Sequence, residues 1–128
     1  MTGQRSERSV AAASLEVVLC SGSDCAKDER KAYRALAARL ESSGVDVVRS
    51  TCLGVCHGPV VVAADAEGRA VVVGKIRSDR RRSEVAEAIV AGRLGRVRKA
   101  GVAVSKAKRR ARAMRRAGRA LGRELTPR

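Results

Sequence analysis

The sequence predicts a small α/β domain in which a mixed four-stranded sheet packs against helices, with the elements in the order β-α-β-β-β-α. Short valine-rich runs alternate with stretches of helical periodicity, and a glycine-containing hairpin signal joins two of these runs. The chain of 128 residues has about the length of one ordinary domain. Apolar residues make up 45% of it, but without Phe or Trp the predicted core is aliphatic.

The first part of the chain reads as a strand, a helix and a second strand. Residues 15–19 (LEVVL) form a β-rich run that leads to Cys20. From Asp28 onward apolar residues recur at helical spacing until a glycine ends the helix. Residues 45–49 form the second strand and lead towards Cys52. A strand, a helix and a strand in this order predict a parallel crossover.

A hairpin and a second helix follow. Pro59 opens a third strand over residues 60–64, the turn signal Asp-Ala-Glu-Gly comes next, and residues 70–73 return as the fourth strand. Ser78 or Asp79 is predicted to cap the second helix. The inner face of this helix is apolar and consists of Val85, Ala86, Ala88 and Ile89. We expect Gly92 and Gly95 to end it.

The formal net charge of +15 is concentrated in the second part of the chain. Residues 77–128 hold 18 Lys and Arg against 4 Asp and Glu, whereas residues 1–76 hold 10 against 9. We therefore divide the chain into a flexible N-terminus (1–13), a domain (14–95) and a basic, partly helical or disordered C-terminal extension (96–128).

Within the basic extension, a weak apolar stripe runs along an arginine-rich helix. The residues of the stripe are Val104, Ala107, Ala111, Met114, Ala117 and Leu121. Such a helix suits three roles: binding of nucleic acid through phosphates, docking on an acidic protein or an anionic membrane surface, or a solvated extension. Because the extension has no aromatic residue for base stacking, nucleic acid is the less favoured partner.

Four cysteines form two pairs, and each pair follows a predicted strand. Cys20 and Cys25 have the spacing C-x4-C, and Cys52 and Cys56 have the spacing C-x3-C after 26 intervening residues. Neighbouring parallel strands bring the loops that follow them to the same end of a sheet, so the four thiols are expected to converge. Four thiolates suit either a tetrahedral Zn²⁺ or a [2Fe–2S] cluster. Neither pair has the C-x-x-C spacing of a thioredoxin-type enzyme.

Nothing in the sequence indicates export or a membrane span. Arg5 and Arg8 precede an apolar stretch, but Glu16 interrupts it and Leu19 stands where signal cleavage needs a small residue. No run reaches the roughly 18 apolar residues of a transmembrane helix. We therefore expect a cytoplasmic protein, because thiols stay reduced there and clustered cysteines more often bind metal than form disulfides.

Two segments, LEVVLCSGSDC and RSTCLGVCHGPVVVAADAEGRAVVVGKI, resemble the thioredoxin-like [2Fe–2S] ferredoxins. These share their fold with the small ferredoxin-like subunit of NADH:quinone oxidoreductase. The similarity consists of a strand ending in the first Cys, a helix, a strand, and C-L-G-x-C before Gly-Pro and a valine-rich hairpin. It covers residues 14–92 and leaves the basic extension outside.

The resemblance implies a non-enzymatic electron carrier. Cys20, Cys25, Cys52 and Cys56 would each match a ligand of one [2Fe–2S] cluster, and the protein would exchange single electrons with a redox partner, often as a homodimer. An accessory redox subunit of a larger oxidoreductase is a variant of this role. Two alternatives stay open: a zinc-stabilised binding module, and a cluster-containing redox regulator, with the extension binding nucleic acid or an acidic partner. His57 has no catalytic constellation around it in the sequence.

Overall fold

The computed structural model of the protein describes residues 15–20, 30–50, 53 and 59–128. Within these ranges the chain forms six strands and four helices. In chain order they are β1 (Glu16–Cys20), α1 (Arg30–Ser42), β2 (Val47–Ser50), β3 (Val61–Ala64), β4 (Arg69–Gly74), α2 (Asp79–Val90), α3 (Leu94–Ala100), β5 (Val102–Ala103), α4 (Ala107–Leu121) and β6 (Thr126–Pro127). The predicted α/β class with a mixed sheet is confirmed.

The sheet has the strand order β2-β1-β3-β4-β5, with β6 paired to the outer edge of β4. β1 and β2 run parallel, and β3 and β4 form an antiparallel hairpin, as the sequence predicts. The predicted number of four strands is too small. β5 and β6 add to opposite ends of β4, and β6 together with α4 comes from the basic extension. Two-residue strands carry too little periodicity to be predicted from sequence.

One face of the sheet packs against α1, α2 and α3. Side chains alternate between faces along a strand, so Val17 and Leu19 of β1 point to this face and Val18 and Cys20 to the other. The first core comprises Leu15, Val17, Leu19, Leu36, Ala37, Leu40, Val45, Val61, Ala63, Val71, Val73, Ile76, Val85, Ala86, Ala88, Ile89, Leu94, Val97 and Ala100. The predicted inner face of α2 is thus confirmed.

The ends of α2 match the sequence in part. The Ser78 hydroxyl accepts a hydrogen bond from the backbone N–H of Arg81 at 3.1 Å, which confirms the predicted N-cap. Gly92 follows the helix with a φ of 72°, a conformation that glycine adopts without strain. Gly95, however, lies inside α3 and does not end α2. Its position is compatible with a helix because that helix is anchored by Leu94 and Val97.

The opposite face packs against α4. The second core comprises Val18, Cys20, Tyr33, Leu53, Val60, Val62, Ala64, Ala70, Val72, Val104, Ala113, Met114, Ala117 and Leu125. The predicted stripe on this helix is only partly correct, because Ala107 and Ala111 are exposed. The buried residues of α4 are Ala113, Met114, Ala117 and Gly118. Small residues let this helix approach the chain closely: a Cβ on Gly118 would lie 2.5 Å from the backbone oxygen of Arg123.

The end of the basic extension is bonded to the start of the sheet. The Arg123 guanidinium pairs with the carboxylate of Glu16 on β1. It also donates hydrogen bonds to the backbone oxygens of Asp65 and Ala66, the latter at 3.3 Å. Residues 96–128 therefore form helix, strand and turn that pack on the rest of the domain. In the described part of the chain, no helix combines the length and the apolar character needed to cross a membrane.

Candidate metal centre

β1 and β2 end side by side at one edge of the sheet. Their parallel register pairs Cys20, the last residue of β1, with Ser50, the last residue of β2. Cys52 follows Ser50 by two positions in the sequence. The two cysteine-bearing segments therefore leave the sheet at neighbouring points, as the sequence predicts. We refer to this edge as the cysteine edge, and to the opposite edge, which contains the turn at Asp65, as the hairpin edge.

Cys20 is buried, with 2% of its surface exposed, and it belongs to the second core. Leu53, the residue directly after Cys52, is fully buried in the same core. Cys20 of the first cysteine pair and Leu53, which lies between the cysteines of the second pair, therefore belong to the same buried cluster beneath α4. Burial of a leucine side chain contributes about 1.5–3 kcal/mol. This burial fixes the point from which the second cysteine loop continues.

The other predicted ligands lie outside the described residues. Cys25, Cys52, Cys56 and His57 belong to the ranges 21–29, 51–52 and 54–58. Among the residues that the structure does describe, no group of three or more His, Cys, Asp or Glu side chains could hold a metal ion. That finding concerns a part of the chain that contains Cys20 and none of the other three cysteines.

A buried hydrogen bond joins the two elements that flank these loops. The backbone N–H of Val60, directly before β3, donates to the hydroxyl oxygen of Tyr33 on α1 at 3.0 Å. Tyr33 is 5% exposed and packs into the second core. The bond ties the start of α1 to the start of β3, which are the points where residues 21–29 and 54–58 rejoin the described chain. Buried residues of the second core therefore flank both loops: Cys20 and Tyr33 on either side of residues 21–29, and Leu53 and Val60 on either side of residues 54–58.

The structural contributions of Tyr33 and Leu53 are not evident from the sequence pattern. Tyr33 is the only aromatic residue in the chain, yet its place on the apolar side of α1 says nothing about a bond to residue 60. Leu53 stands between a cysteine and a glycine, in a loop that periodicity cannot describe. The available signal was a large apolar residue between a cysteine and a glycine, because exposing such a side chain is unfavourable.

Among the described residues, four exposed basic side chains flank the cysteine edge. They are Lys31 and Arg34 on the first turns of α1, Arg49 next to the end of β2, and Lys75 just after β4. All four side chains are exposed. Nearby cations favour the charged form of thiolates. The contribution of these four cations therefore favours an anionic centre at this edge.

Comparison with known proteins gives no assignment. No family model matches the chain, and no curated protein and no solved structure is significantly similar to it. The function must be argued from the residues and their arrangement.

Proposed function

We propose that this protein is a [2Fe–2S] electron carrier of the thioredoxin-like ferredoxin type, with Cys20, Cys25, Cys52 and Cys56 as cluster ligands. One observation carries the proposal: Cys20 and Leu53 pack into one buried core at the edge where β1 and β2 both end. The sheet order β2-β1-β3-β4, with helices on both faces, supports the thioredoxin-like assignment.

The residues at this edge fit such a centre. Thiolates hold most [2Fe–2S] clusters and solvent exposure tunes their potential, and Cys20 offers a thiol buried among aliphatic side chains. When bound, the cluster supplies reversible one-electron chemistry. The chain supplies the thiolates, the apolar surroundings of Cys20, and the exposed cations at Lys31, Arg34, Arg49 and Lys75.

These four cations also favour a particular kind of redox partner. Charge complementarity accelerates encounter between proteins and orients them on contact. A partner whose electron-accepting edge carries Asp and Glu side chains would be steered towards the cysteine edge. Association should then slow as salt concentration rises, because the screening length falls to about 8 Å at physiological ionic strength.

The proposal is tested on protein purified without oxygen. We expect a red-brown solution whose visible absorption bleaches on addition of dithionite. A Cys56→Ser variant should lose most of this absorption, whereas a Ser23→Ala variant, which removes a hydroxyl between two cysteines but no thiol, should keep it. A colourless protein that contains stoichiometric zinc would instead support the alternative of a zinc-stabilised binding module.

A further inference from the structure

A groove with a volume of about 820 Å³ lies at the hairpin edge, at the far end of the strands from Cys20. Six cationic residues line it: Arg69, Arg93, Arg96, Arg98, Lys99 and Arg128. Asp65 is the one acidic residue in its lining. Nothing in the proposed electron transfer uses this groove.

The carboxylate of Asp65 pairs with Arg69 and leaves the charges of the other five lining cations in place. Its two oxygens accept hydrogen bonds from the backbone N–H of Arg69, at 2.9 Å, and from the Arg69 guanidinium, at 3.3 Å. The carboxylates of Glu67 and Asp65 raise the pKa of Arg69 above its ordinary value, and their ion pairs offset its charge. Among the described residues, Arg93, Arg98 and Arg128 have no ion-pair partner.

The remaining acidic side chains near the groove lie on α2. Glu84 and Glu87 share a neighbouring depression with Arg96 and Lys99. Neither glutamate lies within ion-pair distance of those two side chains, and Glu84 already pairs with Arg80 at 3.5 Å. Unpaired cations crowded on one surface repel one another, which costs stability. A bound polyanion would remove that cost.

The basic surface continues around the outer edge of the sheet. A second depression shares Arg98 and Arg128 with the groove and extends to Arg110 and Met114 on α4. The Arg110 guanidinium is held there by the backbone oxygen of Val104 at 3.2 Å. Besides Arg110, α4 exposes Lys108, Arg112, Arg115 and Arg119, and it contains no acidic residue. We call the groove, this depression and the exposed side of α4 the basic band.

Most of these cations sit on anchored backbone. Leu94 and Val97 fasten α3 to the first core, and the backbone N–H of Arg128 donates to the oxygen of Ala70 at 3.1 Å. Arginine outnumbers lysine in the band, and its planar guanidinium binds phosphate through paired hydrogen bonds. A surface that is rigid, arginine-rich and extended over two faces of the sheet matches a ligand with many regularly spaced phosphates.

Two observations select among polyanions. The only tyrosine, Tyr33, is buried, so the band has no aromatic side chain on which unpaired bases could stack. The apolar side of α4 is already packed in the second core, and Val102 is the one large apolar side chain exposed among the described residues. A helix that lies in a membrane surface needs a free apolar face. Both findings favour a double helix over single strands and over lipid.

We propose that the basic band binds the phosphate backbone of double-helical nucleic acid without reading its sequence. Bound cations of the phosphate chain are released on association, so the affinity falls steeply with salt. The sequence alone placed nucleic acid behind other partners. The arrangement of Arg93, Arg98, Arg110 and Arg128 on one continuous surface reverses that order.

The test measures fluorescence anisotropy of the full-length protein with labelled DNA duplexes of two unrelated sequences, over about 50 to 200 mM salt. We expect similar affinities for both sequences and a linear dependence of log K on log salt. A variant combining Arg93→Gln, Arg96→Gln, Arg98→Gln and Lys99→Gln should bind roughly tenfold or more weakly. Its salt slope should fall by about 0.9 for each phosphate contact that is lost.

A second variant removes the same number of charges outside the basic band. It combines Lys31→Gln, Arg34→Gln, Arg39→Gln and Arg49→Gln on α1 and β2, where all four side chains are exposed. This control should lose much less affinity. If the first variant proves unfolded by circular dichroism, Arg112→Gln, Arg115→Gln and Arg119→Gln on α4 replace it, with the same expectation.

Four results would overturn the proposal: no binding of either duplex at low salt, equal losses in the two charge-matched variants, tighter binding of single strands of the same length, or preference for polyglutamate or anionic vesicles over duplex. The assay is independent of the proposed cluster. If the purified protein contains no metal but binds duplex, only the electron-carrier proposal is contradicted. If it contains iron but does not bind duplex, only the proposal for the basic band is contradicted.

Discussion

The two faces of the sheet are covered in different ways. Three helices close the first core with large aliphatic side chains such as Leu36, Leu40 and Ile89. Among the described helices, α4 contributes most to the second core, to which α1 adds Tyr33, and the buried side of α4 is made of three small residues and one methionine. Cys20 and Leu53 belong to this second core. The proposed cluster thus lies on the face that depends on the most basic helix of the chain.

Small buried residues can therefore replace large ones in a core when the helix that carries them lies close to the sheet. Ala113, Ala117 and Gly118 bury little apolar surface, so α4 gains packing by proximity to the sheet and to the turn at Arg123. The first core should tolerate slight repacking, whereas the second core should respond to the addition of one methyl group.

Leu53→Ala and Leu36→Ala compare equivalent deletions on the two faces. Both leucines are fully buried, so each change should lower the free energy of unfolding by about 2–5 kcal/mol in urea titrations. Only Leu53→Ala should also reduce the iron bound per chain, because Leu53 fixes the loop after Cys52. Equal iron content in the two variants would show that iron binding does not depend on Leu53 or on its packing in the second core.

Gly118→Ala and Gly95→Ala compare the same methyl group on two helices. The new Cβ on residue 118 would lie 2.5 Å from a backbone oxygen, which cannot move aside cheaply. We expect a loss of about 1–3 kcal/mol in the free energy of unfolding. The new Cβ on residue 95 meets the flexible end of Arg128 at 3.3 Å, so stability should stay the same or rise by less than about 1 kcal/mol. Similar values for both variants would refute close packing of α4.

Tyr33→Phe removes the acceptor for a buried N–H at the cysteine edge. The N–H of Val60 would lose its partner, and leaving a buried donor unpaired costs about 1–2 kcal/mol. Ser42→Ala is the matched control, because the Ser42 hydroxyl donates to the oxygen of Arg39 at 2.9 Å on the exposed surface. Thermal unfolding should show a clear loss for the first variant and almost none for the second. Equal losses would mean that the Tyr33 bond is not special to this edge.

Glu16→Gln should have the smallest effect. It removes the charge from the pair between Glu16 and Arg123, a pair in which about half of the Glu16 side chain is exposed. Exposed ion pairs contribute about 0–1 kcal/mol and are weakened by salt. We expect a slight destabilisation at low salt that disappears at high salt. A larger loss that persists at high salt would show that Arg123 holds the end of α4 mainly through this carboxylate.

The elements of the first core were predictable from sequence because their periodicity is strong. The β-rich apolar run of β1, the helical spacing of α1 and the Ser78 cap each have a local cause. The position of Cys20 beside the end of β2 followed from parallel pairing alone. These features need only neighbouring residues or one crossover, so no distant contact was required to infer them.

The second core was predictable only in part: Val104, Met114 and Ala117 of the predicted stripe belong to it, but its other causes are distant in the sequence. Ala113 and Gly118 carry little hydrophobicity, so the sequence pattern favoured Ala107 and Ala111, which are exposed. The density of arginine made residues 96–128 resemble a solvated extension, although β6 pairs with β4 about sixty residues earlier in the chain. The cations of α3, α4 and Arg128 come together only in the folded chain, so the basic band could not be predicted from the sequence either.

The most direct test of the account is the iron and acid-labile sulfide content of protein purified without oxygen. Cys20 and the leucine after Cys52 share one buried core, so we expect about two iron atoms and two sulfides per chain. Cys25→Ser protein prepared in parallel should contain much less of both. Iron and sulfide near zero in the unmodified protein, together with a folded circular dichroism spectrum, would contradict the electron-carrier function.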